Sequence, residues 1–342
     1  MADVWYVILG LMLTAYVVLD GFDLGVGTLH LLVAKKDTER QAALRSIGPV
    51  WDGNEVWLVA TGGVMVCTFP AAYATAFSGF YLPLIMVLWL LIFRGLAIEL
   101  RGNVSNPLWA QAWDVLFSLA SAALAFSLGV ALGNVVRGVD LDTQGRFFAP
   151  MWSDLTTSGE TGILDWYTGL VGLLAVTALA LHGAGWLTLR TTGDLGERAR
   201  SWGRRLVPAV GILFGTISAA TWWVAPHIKD RITDAPWGIV FFPAPLIALW
   251  FYRAALRDRR PATAFAASTA LLVSMIVAAV YGTYPYILPA SSGATGPGLT
   301  AQATAAADHG LATALAWWIP AAILVVIYHV VVYRSLERTT SN

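Results

Sequence analysis

Cysteine is almost missing from this chain, with Cys67 alone among 342 residues. A single thiol excludes an internal disulfide and a cysteine-built metal cluster, and there is no Cys-x-x-Cys-His haem-attachment motif. Charge is nearly as scarce. Asp, Glu, Lys and Arg make up 12% of the residues, about half the share usual in a soluble domain. The formal net charge of zero says little about partners; the positions of the charges say more, and no nucleic-acid partner is expected. What is there instead is apolar. Hydrophobic residues reach 57% and the mean hydropathy is +0.66. Runs of about 20 apolar residues recur from end to end, which defines an all-α integral membrane protein. Residues 1–342 read as one polytopic membrane domain, with no soluble part to hold a nucleotide or a soluble substrate.

Nine spans are expected, at 4–33, 50–69, 77–100, 112–136, 163–189, 203–226, 236–256, 262–283 and 311–334. The seventh is interrupted by Pro243 and Pro245. The first lacks a basic leader and runs directly into Asp20, so it reads as a membrane helix rather than a cleaved signal peptide. Orientation follows from Lys and Arg. Lys35, Lys36, Arg40, Arg45, Arg101, Arg190, Arg198, Arg200, Arg204 and Arg205 fall on one side. Arg253, Arg257, Arg259, Arg260, Arg334 and Arg338 join them, against Arg137, Arg146, Lys229 and Arg231 on the other. Sixteen against four puts the N-terminus outside and the C-terminus in the cytoplasm. The longer connections, 137–162 and 284–310, then lie outside.

Ionisable groups inside membrane spans are costly and mark candidate functional sites. The stretch Gly48-Pro-Val-Trp-Asp-Gly-Asn-Glu-Val-Trp-Leu58 opens an apolar span with Asp52 and Glu55, and their i, i+3 spacing shares a helix face. Pro49 and acids in a first helical turn also suit a plain helix start. With 1.5 Å of rise per residue, Asp20 and Asp23 of span 1 and Arg94, Glu99 and Arg101 of span 3 reach the same inner depth. The seven groups read as a proton relay or as an ion-pair network locking three helices, with Arg94 held by Asp20 or Asp23. One group can serve both purposes.

Gly21 and Gly25 give span 1 a small face for close helix contact. Tryptophans near span ends, among them Trp5, Trp113, Trp223, Trp237 and Trp317, read as interface anchors. A haem between helices needs an axial ligand at matching depth. His30 and His182 are the candidates, although His182-Gly-Ala-Gly185 reads more simply as tight packing with a polar contact.

At these residues the chain resembles subunit II of the cytochrome bd-type quinol oxidases. The matching pieces are Asp20-Gly-Phe-Asp-Leu-Gly-Val-Gly27, Gly48–Trp57, Phe77-Ser-Gly-Phe-Tyr81, Phe93-Arg-Gly-Leu-Ala-Ile-Glu-Leu-Arg101, His182-Gly-Ala184 and Pro285-Tyr-Ile-Leu-Pro-Ala-Ser-Ser292. The resemblance implies a heterodimer in the bacterial cytoplasmic membrane. In it, subunit I would carry two haem b and one haem d, oxidise quinol outside and reduce oxygen to water. Small single-helix accessory subunits accompany some members. Subunit II would hold no haem ligand and would admit protons from the cytoplasm at Asp52. Trp57 reads as a packing residue or, since its position is tied to oxygen passage in some members, as part of an oxygen path, and a structural quinone is bound in this subunit in others. Some members carry Gln at the position of Glu55, which puts an obligatory relay role for that residue in doubt. Two further readings stand beside this one. The chain could be a purely structural partner of subunit I, or a proton-coupled transporter, although no inverted repeat is evident.

Overall fold

The computed structural model describes residues 1–157 and 161–340, with side chains up to residue 336. Residues 158–160 of the outer connection and the side chain of Arg338 lie outside the described residues. Eight helices among the described residues are long and apolar enough to cross a membrane. They are α1 (Ala2–Val33), α5 (Tyr81–Leu100), α6 (Pro107–Arg137), α7 (Trp166–Arg190), α8 (Gly193–Val224), α10 (Ala244–Arg257, preceded by a 3-10 stretch from Pro236), α11 (Pro261–Thr283) and α13 (Asp308–Thr340). The ninth expected span is present as a helix, α3 (Trp51–Thr68). Asp52, Asn54 and Glu55 in its first turns lower its hydropathy, so eight helices qualify rather than nine. Its 18 residues would span about 27 Å at the usual rise.

Shorter elements join these. Helix α2 (Asp37–Ile47) precedes α3 and α4 (Pro70–Gly79) follows it, while α9 (Pro226–Asp234) follows α8. In the connection between α11 and α13, β1 (Tyr286–Leu288) pairs antiparallel with β2 (Leu299–Thr300), and α12 (Ala301–Thr304) follows.

Local chemistry explains most boundaries. Asn106 caps α6 by accepting the amide of Leu108, and Pro107 suits the first helical position. Gly138 ends α6 at φ +94°, where a Cβ would meet the Ala290 backbone at 2.7 Å. Asp165 caps α7 by accepting the amides of Tyr167 and Thr168, and the Thr168 side chain answers the Asp165 backbone. The chain breaks at Phe242–Pro243 before α10, as proline within the seventh span predicts. By contrast α8 starts at Gly193 rather than 203. Its first turns lie outside the apolar run, so hydropathy alone starts the helix late.

The centre of the bundle is α7, whose most apolar stretch is almost three-quarters buried. It crosses α1 at Gly25 and Gly183. A Cβ on Gly25 would fall 1.9 Å from the Leu179 carbonyl oxygen, and one on Gly183 would fall 2.3 Å from Gly25. Only glycine permits this approach of two backbones. The Gly21/Gly25 face thus has its partner. Leu124, Tyr167, Leu181, Tyr252 and Leu271 build the main core around it.

Trp5 corrects the reading of tryptophans as interface anchors. It is 1% exposed, donates its indole N–H to Leu311 O and packs edge-on against Trp318. Trp223, Trp237 and Trp317 are exposed as expected.

Candidate functional site

Arg94 lies buried on α5, where extension into water is barred. Its guanidinium turns instead to α1, donating to Asp20 through both terminal nitrogens at 2.9 and 2.7 Å. The second nitrogen also donates to Glu55 Oε2 of α3 at 2.9 Å. Arg94 and Asp20 are fully buried, while the Glu55 side chain retains 22% exposure. The Trp51 ring covers the guanidinium at 6.0 Å. A forked, charge-assisted pair of this kind is strong and directional.

Asp23, one turn along α1, is 1% exposed and is not paired with Arg94. It accepts from Asn54 Nδ2 at 2.8 Å, and its other oxygen has no hydrogen-bond partner among the described residues. Asn54 is held from the far side by the Tyr333 hydroxyl of α13, which donates to Asn54 Oδ1 at 3.1 Å. Three carboxylates, Asp20, Asp23 and Glu55, therefore share one depth with one guanidinium.

The seven expected residues do not form one cluster. Arg101 stands in a second network at the inner end, centred on Asp114 of α6. Asp114 accepts from Arg101 at 2.6 and 3.0 Å, from Arg40 at 3.1 Å and lies 2.7 Å from His30 Nε2. Arg101 also reaches Asp37 at 2.6 Å, so α1, α2, α5 and α6 are tied at one point. Hydrogen bonding to Asp114 holds the Arg101 guanidinium above its ordinary pKa, against the opposing effect of burial. Asp52 and Glu99 are exposed and belong to neither network. Asp52 accepts the amide of Gly53, a first-turn contact of the kind a helix start predicts.

Asp114, Asn54 and Tyr333 escaped the sequence reading. Asp114 had a signal: a lone acid in the first turns of an apolar span, on the same side as Arg101. Asn54 and Tyr333 had none, because uncharged polar residues near a span end are ordinary.

The histidines are otherwise engaged. His182 bonds Ser268 at 2.8 Å and the Val18 carbonyl at 3.1 Å, so it serves as the packing contact. It does not meet His30. His329 of α13 donates through Nδ1 to Val325 O at 2.9 Å and accepts from Trp57 Nε1 at 3.3 Å. Among the described residues no three His, Cys, Asp or Glu side chains form a metal site.

Two of the helices that reach the network, α5 and α13, are also the least covered of the eight spans. No residue in the most apolar stretch of α13 is buried, and little of the corresponding stretch of α5 is. On α3, Val59 is 71% exposed. Polar Asp52, Glu99 and His329 open on these same helices. Elsewhere, a cavity of about 480 Å³ lies among α1, α6, α7 and α11, lined by apolar side chains such as Leu13, Leu128 and Met275, with Tyr6, Tyr16 and Tyr167.

The fold and site define a polytopic membrane subunit built around a buried ion network. Residues 1–336 match the family model of cytochrome bd terminal oxidase subunit II. The chain is 30% identical over 320 residues to a probable cytochrome oxidase subunit 2 of Haemophilus influenzae, covering 84% of this chain and 82% of the other. It is 30% identical over 321 residues to cytochrome bd-I ubiquinol oxidase subunit 2 of Escherichia coli K12, with the same coverage. Identity to cytochrome bd ubiquinol oxidase subunit 2 of Bacillus subtilis is 31% over 285 residues, or 82% and 80% of the two chains. The fold superposes on a bd oxidase chain from Geobacillus thermodenitrificans with a TM-score of 0.72, at 19% identity and 97% coverage of each chain. This chain belongs to the subunit II family of the cytochrome bd terminal oxidases. It is a multi-pass bacterial inner-membrane component of a haem-containing oxidoreductase, with subunit I as its partner.

Proposed function

We propose that this chain admits protons from the cytoplasm to a quinol oxidase whose two haem b and one haem d reside in subunit I. The carrying observation is the imbalance of three buried or half-buried carboxylates against one guanidinium, next to exposed Asp52 and Glu99. In a site removed from water, surplus carboxylate charge favours bound protons, and groups that hold protons there are the parts of a relay. The haems supply the electron transfer and oxygen reduction. In this reading Asp52 and Glu99 take protons at the inner surface, Glu55 bridges inward and Arg94 fixes Asp20. Asp23 is the buried acid with an open lone pair. Arg101 anchors the inner end rather than conducting.

The test is quinol oxidase turnover of Asp52→Asn and Glu99→Gln complexes at matched haem content. Slowed turnover in an assembled complex is the expected result. Unchanged turnover would remove that residue from the path and leave the chain as a structural partner.

The apolar cavity favours a second role, holding a structural quinone through its isoprenoid tail. Ala175 lines it, so Ala175→Phe should deplete tightly bound quinone from the purified complex while turnover with added quinol persists. Full quinone content in that variant would discard the idea. Trp57, beside His329 on the uncovered face, keeps the oxygen-path assignment that the family likeness suggests.

A further inference from the structure

Helices α8 and α10 run antiparallel, and two glycines set their register. A Cβ on Gly203 would come within 2.5 Å of the Tyr252 hydroxyl and 3.1 Å of Leu256 Cδ1, and one on Gly211 within 3.4 Å of Leu249. Arg259 pairs with Glu197 at 2.9 Å beyond the inner end of this seam. With 3.6 residues per turn, each step along a helix rotates by about 100°. Arg204 and Arg253 therefore stand one step round from the contact residues Gly203 and Tyr252, on the outward flanks of the groove. On α10, Arg253 continues a stripe with Leu246 and Trp250, which are 45% and 63% exposed.

The charges in this region do not balance. Glu197 is shared by Arg200 and Arg259, Asp258 is taken by Arg257, and Glu39 by Arg198. Arg204, Arg205, Arg253 and Arg260 are exposed, and none of them is among the ion pairs of the described residues. Arg205 rests over the Trp202 ring at 5.7 Å. Arg204 and Arg253 thus flank the inner end of the seam with no ion pair among the described residues, while Arg205 lies two steps round α8 from Gly203, Arg260 lies past the end of α10, and Asp194 is the one acid of α8 outside these pairs.

We propose that this groove binds an anionic phospholipid of the cytoplasmic leaflet, its phosphate held between Arg204 and Arg253. The placement in that leaflet rests on the orientation expected from the lysines and arginines. The guanidinium fork matches phosphate oxygens, basic pockets between helices on this side attract anionic headgroups, and the Leu246–Trp250 stripe receives the acyl chains. A zwitterionic headgroup brings its own cation and leaves the arginines uncompensated.

The test uses the two-subunit complex in detergent with defined lipid, read by native mass spectrometry. Phosphatidylglycerol should be retained over phosphatidylcholine. Retention should fall about fivefold for each arginine removed in R204Q and R253Q, and R146Q, on the opposite side, should leave it unchanged. The haem spectrum and subunit I content of these variants should match the unsubstituted complex, which separates this proposal from the oxidase reading. Equal retention of both lipids, or undiminished phosphatidylglycerol binding in the double variant, would overturn it. So would displacement of the lipid by millimolar inorganic phosphate alone, which would mark a free-anion site.

Discussion

Removing Arg94 leaves the fully buried Asp20 carboxylate without a counter-charge. Asp20 and Glu55 both depend on that guanidinium. Truncating one member of a buried ion pair costs about 3–5 kcal/mol, so Arg94→Gln should reduce assembled, haem-bearing complex severely. Glu55→Gln should be far milder, because Glu55 is partly exposed and Asp20 keeps both of its contacts. Assembled yield, measured as haem per membrane protein, separates the two. Equal yields would mean that the pair does not hold the helices together. That Arg94 pairs with an acid of α1 was legible from the sequence, because a lone arginine in an apolar span has few groups within reach, but the choice of Asp20 over Asp23 was not. Asp23 was less so: its partner is a neutral amide, which no charge pattern announces.

At the scale of elements, the α1–α7 crossing and the short helix α2 each make one sharp prediction. A side chain at position 25 has nowhere to go, since even a Cβ would overlap the Leu179 carbonyl. Gly25→Val should abolish assembly, whereas Gly215→Val on α8, with open space around it, should assemble normally; detergent-stable complex by size-exclusion chromatography reads both. Glu39 stabilises the start of α2 by accepting the amides of Lys35 and Lys36 at 2.7 and 3.0 Å and by pairing with Arg198 at 2.6 Å. Partial desolvation raises its pKa, but these backbone and guanidinium contacts outweigh it and pull the carboxyl down to about 2. A folded-state pKa below the unfolded value of about 4.3 gives stabilisation that is complete above that value and lost as pH falls towards 2. Amide-exchange protection at the start of α2 should therefore decline through that window, and Glu39→Gln should flatten the profile. The sequence pointed to α1 and α7 readily, through unbroken apolar length and glycine spacing. It hid α2 and the first turns of α8, because polar helices at the membrane surface carry no hydropathy signal.

Across the whole molecule, cover is uneven: α7 is enclosed while α3, α5 and α13 lie bare. Lipid would accept their valines and leucines but not the His329 imidazole in mid-span, so this face is the expected seat of subunit I. Photo-crosslinking from positions 59 and 89 should capture subunit I, whereas position 212 on α8 should yield lipid adducts. The reverse pattern would relocate the interface. This asymmetry was illegible in the sequence, since hydropathy treats a lipid-facing and a partner-facing leucine alike. Only the tertiary arrangement distinguishes them.

The bare face of α13 also bears on the life of the chain before it meets its partner. Until then, the His329 imidazole of that face stands against hydrocarbon, where it is costly, and Tyr333 must hold Asn54 from a helix with little else to brace it. An orphaned copy is therefore a poor resident of the bilayer, prone to self-association or to extraction and proteolysis. Its abundance should follow the supply of subunit I rather than its own rate of synthesis, and pulse-labelled chain should decay quickly when subunit I is withheld.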